Sequence, residues 1–211
     1  MRLNGLIFDL GNVLIHNHPE RAAEKFSRYN GRSTEDNIRI MGDHPDYMCG
    51  KITPQEFARQ SFQEFGITGM SEEQFHAIYV DIFDLNEPLV HLLEGLVKKD
   101  GVLLEERINL AMLSNTEETT IKFLRGRFPR LFAVFGDRLA LSYEMRHKKL
   151  DHYVYERALE LAKTKPENTA YIDDKIEYVE SARKLGMHGI QYFTFESLVQ
   201  SLKALQVPIY V

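Results

Sequence analysis

The chain has almost no cysteine and no long apolar run. Of its 211 residues only Cys49 is a cysteine, which excludes an intramolecular disulfide and a cysteine-based zinc site. About 18 consecutive apolar residues, the length that a membrane-spanning helix needs, occur nowhere. No basic region followed by an apolar stretch and a cleavage site opens the sequence. We therefore expect a soluble protein of the cytoplasm, where thiols stay reduced.

An excess of basic residues is also missing. The 26 Lys and Arg residues are outnumbered by 31 Asp and Glu residues, for a net charge of −5, so nothing attracts nucleic acid or an anionic membrane in general. Any affinity for phosphate must be built locally, and we expect a small-molecule partner for a monomer or homodimer. With 44% apolar residues, the chain can form one domain that carries a sizeable insert.

Short apolar runs bounded by small or polar residues indicate buried strands. They lie at residues 6–8, 108–113, 131–135, 169–172 and 189–193. Helical patterns separate the later runs, as in the spacing of Val154, Ala158 and Leu161. Strands that alternate with helices are typical of a parallel sheet between two helical layers. We therefore predict a Rossmann-like α/β fold.

Residues 16–87 interrupt this alternation with helix signals and no convincing strand. Thr53-Pro54-Gln55-Glu56 combines an N-cap, a first-turn proline and a capping-box glutamate, and Ser71 to Gln74 repeats the capping box. The apolar stripes that follow are interpreted first as core faces. We predict a helical cap at residues 16–87, inserted after the first strand of an α/β core formed by residues 1–15 and 88–211. Residues 97–108 are predicted to be a helix end and a long loop.

Polar side chains follow the predicted strands. In an open parallel sheet, ligands bind beyond the carboxyl ends of the strands, where we expect four polar groups to meet. They are Asp9, the pair Ser114 and Asn115, the pair Asp173 and Asp174, and the basic run 146–149. Three carboxylates would repel one another without a cation, and oxygen ligands suit Mg²⁺. The turn at 114–115, with Thr116 capping the next helix, offers backbone donors to an anion.

Each of these residues also has a purely structural interpretation. Asp9 and Ser114 could be turn residues at strand ends, and one of the two aspartates at 173–174 could cap the helix that begins near Ile176. Residues 146–148 fit a solvated basic face. The convergence of all four groups at one edge favours a functional site, because no single structural role accounts for it.

Four motifs in order carry a resemblance that spans residues 6–191. They are "FDLGNVL", "LSNT", Lys149 within "SYEMRHKKLDHYVYERAL", and "YIDDKIEYVESARKLGMHGI". Together they resemble the haloacid dehalogenase (HAD) superfamily, in the subgroup with a helical cap after the first strand. The first motif is similar to that of bacterial phosphatases that act on glucose 1-phosphate.

The resemblance implies Mg²⁺ as cofactor and a role for each matching position. Asp9 would be the nucleophile that becomes an aspartyl-phosphate, and Lys149 would neutralise the phosphoryl group. The metal ligands would be Asp9, the carbonyl of Gly11, Asp173 and Asp174. The phosphoryl group would be bound by Ser114, Asn115 and Lys149.

Two positions depart from the pattern of the superfamily. Gly11 stands where its phosphatases usually carry a second aspartate as general acid and base, and Leu150 stands where a proline usually follows the lysine. We favour a Mg²⁺-dependent phosphatase for a small phosphorylated metabolite, a sugar phosphate being one candidate, with His16 or water supplying the missing proton. The alternatives are a dehalogenase and a catalytically weak, phosphate-binding regulatory protein.

Overall fold

The computed structural model describes residues 3–42, 44–99, 102–103 and 108–209. Its strands are β1 (Gly5–Phe8), β2 (Ile15–Asn17), β3 (Phe83–Leu85), β4 (Lys98–Lys99), β5 (Val102–Leu103), β6 (Asn109–Ser114), β7 (Leu139–Leu141), β8 (Thr169–Asp173) and β9 (His188–Gln191). Its helices are α1 (Pro19–Asn30), α2 (Thr34–Ile40), α3 (Pro45–Met48), α4 (Pro54–Phe65), α5 (Glu72–Tyr79), α6 (Glu87–Val97), α7 (Glu118–Arg127), α8 (Pro129–Phe135), α9 (Ser142–Met145), α10 (His152–Ala162), α11 (Ile176–Lys184) and α12 (Phe195–Ala204).

The central sheet is parallel, and in the described part of the chain it has five strands in the order β7-β6-β1-β8-β9. β1 lies in the middle, where Leu6 pairs with Leu110 on one side and with Ala170 on the other. All four residues of β1 are buried, as expected for a strand that is covered on both faces.

Two apolar layers enclose the sheet. Leu6 and Phe8 pack on one face with side chains from α6, α7, α8 and α12. Ile7 points to the other face, where it packs with Val154 and Ala158 of α10. This alternation follows from the two-residue period of a strand. The predicted Rossmann-like α/β fold, a parallel sheet sandwiched by helices, is confirmed.

The predicted strand at residues 131–135 is wrong, because this segment belongs to α8. A short, continuous apolar run does not distinguish a buried strand from a buried helix, and Pro129 at the start favours the helix since its φ suits the first turn. Leu131 and Phe135 are fully buried on the helix. The sheet strand is β7, which begins after Gly136 has reversed the chain with a φ of 59°.

The segment 16–87 contains strand after all, which corrects the sequence analysis. β2 and β3 form an antiparallel pair in which Ile15 is opposite Leu85 and Asn17 is opposite Phe83, and α1 to α5 lie between them. β2 is only three residues long and has a single buried residue, so its own pattern carries little signal. The capping boxes of α4 and α5 are both present as predicted.

Helices α1, α3, α4 and α5 contribute side chains to a separate apolar cluster. Phe57 stacks on Tyr47 with ring centroids 4.2 Å apart, and Phe26 lies 5.2 Å from Phe65 and 5.3 Å from Phe75. The apolar stripes of this segment are therefore core faces, as the sequence indicates.

After α6, the chain forms a short antiparallel pair, β4 with β5, where we expected a loop. The rest of that loop, residues 100–101 and 104–107, lies outside the described residues. Within the described ranges no helix has both the length and the apolar character needed to cross a bilayer.

Candidate active site

The carboxyl ends of β1 and β8 bring three aspartates together. Asp9 directly follows β1, and its N–H bonds the carbonyl of Ile172 at 2.8 Å, which holds it beside β8. Asp173 ends β8 and is fully buried, and Asp9 is 7% exposed. One carboxylate oxygen from each of Asp9, Asp173 and Asp174 lies within 4.8 Å of the others. We call these three residues the aspartate cluster.

Lys149 is the cation of this cluster. Its Nζ donates to Oδ1 of Asp9 and lies 2.7 Å from Oδ2 of Asp173. The hydroxyl of Tyr171 donates to the same Oδ2. The Lys149 side chain is almost fully buried, at 2% exposed, and its Nζ lies 5.1 Å from the ring centre of Tyr178. The lysine is thus held between two carboxylates and an aromatic face.

Asn115 positions the segment that carries Lys149. Its Oδ1 accepts the backbone N–H of Lys149 at 2.9 Å, and its Nδ2 lies 3.4 Å from the hydroxyl of Tyr178. Ser114 ends β6 and is buried. The side chain of Asn115 therefore organises the site.

Neither aspartate at 173–174 is the N-cap of α11, because Lys175 occupies that position without a side-chain cap hydrogen bond. Asp173 bonds the backbone just before the helix instead. Its Oδ1 accepts the backbone N–H of Lys175 at 2.9 Å, just before α11, while its Oδ2 contacts Lys149. Asp174 is half-buried, and its Oδ2 accepts from the side chain of Asn12 at 3.3 Å. Asp173 is consequently fixed by the protein, whereas Asp174 keeps carboxylate oxygen free for a ligand.

The electrostatics of the cluster show an excess of negative charge. Burial, followed by the charge of Asp173, raises the pKa of Asp9 to about 7 against the opposing effect of Lys149. Burial and the charge of Asp173 likewise raise the pKa of Asp174. Burial lowers the pKa of Lys149, but the charges of Asp9 and Asp173 outweigh it and raise that pKa above its usual value. One lysine does not balance three carboxylates.

The donor set fits a magnesium ion. It consists of carboxylate oxygens within reach of one another, and Mg²⁺ prefers oxygen ligands, typically one or two carboxylates. Gly11 lines the same cavity as Asp9 and Asp174. A divalent cation would also favour the charged form of Asp9, whose pKa is raised mainly by burial.

Two adjoining cavities meet at this edge of the sheet. The smaller, of about 170 Å³, is lined by Asp9, Lys149 and Asp174. The larger, of about 250 Å³, is lined by Ser114 and extends between the sheet edge and the segment 16–87. Both cavities are bordered by Gly11, Asn17, Met48 and Asn115. Asp9 and Asp174 thus line a cavity that adjoins the cavity beside the segment 16–87.

Thr116 does not cap α7 as predicted. The N-cap position is occupied by Glu117, and the N–H of Thr116 donates to Oγ of Ser142 at 2.9 Å. The Oγ of Ser142, which has a single proton to donate, lies 2.6 Å from the carbonyl oxygen of Met48 and 2.9 Å from that of Thr116. This serine joins the turn after β6 to α3, a contact that only the tertiary fold creates.

Sequence reasoning missed several residues of the site. Tyr171, Tyr178 and Glu117 surround it, yet each reads as an ordinary core or helix residue in the sequence. His16, considered as a proton donor, is exposed on β2 and is not among the described residues that line either cavity.

Comparison with known proteins agrees with this fold. Residues 3–186 match the family model of the haloacid dehalogenase-like hydrolases. A HAD family enzyme from Bacteroides thetaiotaomicron, solved in complex with magnesium and inorganic phosphate, is 25% identical, with a TM-score of 0.76 over 92% of this chain and 96% of that one.

Two further structures share the fold. A predicted HAD-like family hydrolase from Porphyromonas gingivalis is 21% identical, with a TM-score of 0.78 over 98% of both chains. An L-2-haloacid dehalogenase from Xanthobacter autotrophicus is 14% identical, with a TM-score of 0.65 over 98% of this chain and 84% of that one. The protein belongs to the haloacid dehalogenase-like hydrolase family.

Proposed function

We propose that the protein is a Mg²⁺-dependent phosphatase that hydrolyses a small phosphorylated metabolite through an aspartyl-phosphate on Asp9. The observation that carries this proposal is the aspartate cluster, whose carboxylate oxygens lie within 4.8 Å of one another beside one buried lysine. A dehalogenase needs no divalent cation, so an oxygen-only cation site favours phosphoryl transfer. The relative from Bacteroides thetaiotaomicron, in complex with magnesium and phosphate, supports the same chemistry by analogy.

In this proposal the metal ion would be held by Asp9, the carbonyl of Gly11, Asp173 and Asp174. Bound Mg²⁺ supplies charge neutralisation of the phosphoryl oxygens. Lys149 adds a second positive charge, because its Nζ already lies between Asp9 and Asp173. Ser114 and the N–H of Asn115 would bind the remaining phosphoryl oxygens, just before the N-terminus of α7.

The reaction consists of two displacements at phosphorus. A carboxylate oxygen of Asp9 forms a bond to phosphorus while the bond from phosphorus to the ester oxygen breaks. Water then attacks the aspartyl-phosphate, which releases inorganic phosphate and restores the carboxylate. Gly11 has no side chain to protonate the leaving oxygen, so we expect the proton to come from water and the enzyme to prefer good leaving groups.

The segment 16–87 would act as a cap over the site. Met48, Tyr79 and Phe83 from this segment form part of the wall of the 250 Å³ cavity, so they would enclose the leaving group and exclude bulk water. A cavity of this volume accommodates a small metabolite such as a sugar phosphate.

Rapid-quench trapping with a ³²P-labelled activated phosphate tests the proposal. We expect a labelled phospho-enzyme that forms with Mg²⁺, is absent with EDTA, and is absent in Asp9→Asn. Turnover of a panel of phosphate esters should show the same metal dependence. A chloro- or bromoacid substrate consumed in EDTA would instead support the dehalogenase, and absence of label in the parent protein would reject the phosphatase.

A further inference from the structure

The larger cavity has one charged group in its wall among the residues that the structure describes, and that group is Glu117. We propose that Glu117 selects the leaving group: it favours phosphate esters that carry hydroxyl groups and rejects esters that carry a second anion. This inference rests on the proposed phosphatase function and assigns a substrate class to the same site.

Glu117 is positioned to contact the leaving group. It follows Ser114, Asn115 and Thr116, which line the cavity with it, and precedes α7. Glu117 is only 4% exposed, so its carboxyl belongs to the cavity wall and does not extend into solvent. The larger cavity joins the one that holds Asp9 at Gly11 and Asn115. A group bound beside Glu117 would therefore be attached to a phosphate bound beside Asp9.

The carboxyl of Glu117 has acceptor capacity to spare. The hydroxyl of Thr120 donates to its Oε1, and its own backbone N–H also bonds to it. Burial raises the pKa of this carboxyl, and these two hydrogen bonds oppose that shift by stabilising the charged form. A carboxylate accepts about four hydrogen bonds, so positions remain for donors from a ligand. No lysine, arginine or histidine is among the described residues lining the cavity. The hydroxyl groups of a leaving group would supply donors to this carboxylate.

A second anion in the same space would be repelled. Like charges in a confined, partly desolvated site oppose each other strongly, and no basic side chain among the described lining residues pairs with a second anion there. Such repulsion is an effective way to exclude a competing substrate. The adjacent Glu118 is exposed in the first turn of α7, where it has the ordinary favourable relation to the helix dipole. Burial in the cavity wall distinguishes Glu117 from this neighbour.

Matched three-carbon esters test the assignment. Glycerol 3-phosphate and 3-phosphoglycerate differ in a hydroxymethyl group against a carboxylate, so the ratio of their kcat/KM values with Mg²⁺ measures the discrimination. For the parent protein we expect a preference for glycerol 3-phosphate of about 10-fold or more. Glu117→Gln should reduce that preference about 10-fold, whereas Glu117→Asp and the matched control Glu118→Gln should retain it.

Both kcat/KM values are measured on the same preparation of each variant. A smaller fraction of active protein therefore lowers both values equally and leaves their ratio unchanged. An unchanged ratio in Glu117→Gln would overturn the role of Glu117. If Glu117→Gln does not fold, the parent protein alone still tests the proposal. Equal kcat/KM values for the two esters in the parent would overturn the proposed selectivity. Absence of Mg²⁺-dependent turnover with every ester, nitrophenyl phosphate included, would instead overturn the proposed function itself. The two failures are therefore distinguishable.

Discussion

Lys149 Nζ lies 2.7 Å from Oδ2 of Asp173 and also donates to Oδ1 of Asp9, although these aspartates are 24 and 140 positions away in the sequence. One buried lysine is therefore the shared counter-ion of two buried carboxylates. Removing one partner of a buried ion pair leaves the other charges uncompensated, which is costly. The stability of the site therefore depends on the positive charges that neutralise Asp9 and Asp173.

Lys149→Met should destabilise the metal-free protein. Loss of the ammonium leaves Asp9 and Asp173 buried without a cation, and broken buried pairs cost about 3–5 kcal/mol. Urea unfolding in EDTA measures the change, and adding Mg²⁺ should recover part of it. Lys148→Met is the matched control at the half-buried neighbour. Equal unfolding midpoints for the two variants would show that Lys149 does not stabilise the cluster.

Asp9→Asn should abolish turnover and flatten the pH dependence of stability. The pKa of Asp9 is raised from 3.8 to about 7 by burial first and the charge of Asp173 second, so the folded protein binds this proton more tightly than the unfolded chain. The protonated Asp9 therefore makes its full contribution to the free energy of unfolding below about pH 4, and this contribution is lost as the pH rises towards 7. Because asparagine does not titrate, the Asp9→Asn variant should not lose this stability as the pH rises.

Denaturation of the metal-free protein at about pH 4.5 and about pH 8 checks this expectation. Asp9→Asn should lose less stability than the parent over this interval. Asp137→Asn, at an exposed aspartate, is the control and should follow the parent. If the stability of Asp9→Asn changed with pH in parallel with that of the parent, the raised pKa of Asp9 would be contradicted.

Magnesium should raise the melting temperature in a saturable way. A ligand that binds only the folded state stabilises it by RT ln(1 + [L]/Kd), about 2.7 kcal/mol at 100 times Kd. Asp174→Asn should weaken the response, because Asp174 has carboxylate oxygen available beside Asp9 and Asp173. Differential scanning fluorimetry across a Mg²⁺ series measures both proteins. An identical midpoint in the variant would exclude Asp174 as a ligand.

The local parts of this architecture could be predicted from sequence, and the parts made by tertiary contact could not. The capping boxes at Thr53 and Ser71 are read within four residues, and β1 is recognisable because all its residues are apolar or small. By contrast, the apolar run at 131–135 fits both a helix and a strand. The pairing of β2 with β3 joins residues about 70 positions apart, from Ile15 to Leu85.

The same distinction applies to the candidate site. The rule that ligands bind beyond the carboxyl ends of parallel strands predicts its aspartates and the basic run 146–149. The family resemblance alone singles out Lys149 from that run, and the structure brings these residues together. Glu117 and Tyr171 were missed because only burial beside the site makes them notable. The sequence gives no measure of burial for a single glutamate at a helix start, where acidic residues are common.

Gly11→Asp should accelerate hydrolysis of esters with poor leaving groups. A Cβ at Gly11 would lie 3.2 Å from Nδ2 of Asn17, the movable end of a side chain, so the position accepts a side chain after a small shift. An added general acid contributes about 10²-fold or more when it protonates a leaving group. Gains should appear with alkyl phosphates and not with nitrophenyl phosphate, and Gly11→Asn is the control. A gain of equal size with both esters would contradict proton donation.

Acidification below the ordinary histidine pKa should weaken the packing of α4 against α5 through His76. Burial lowers the pKa of His76 from 6.5, and its Nε2 lies 3.1 Å from the carbonyl of Pro54. The unfolded chain therefore takes up a proton that the folded protein resists, and the free energy of unfolding falls as the pH drops below 6.5. His76→Gln keeps a donor for Pro54 without titrating, so between about pH 7.5 and about pH 5.5 it should lose less stability in urea than the parent. Parallel profiles would show that another group governs the acid response.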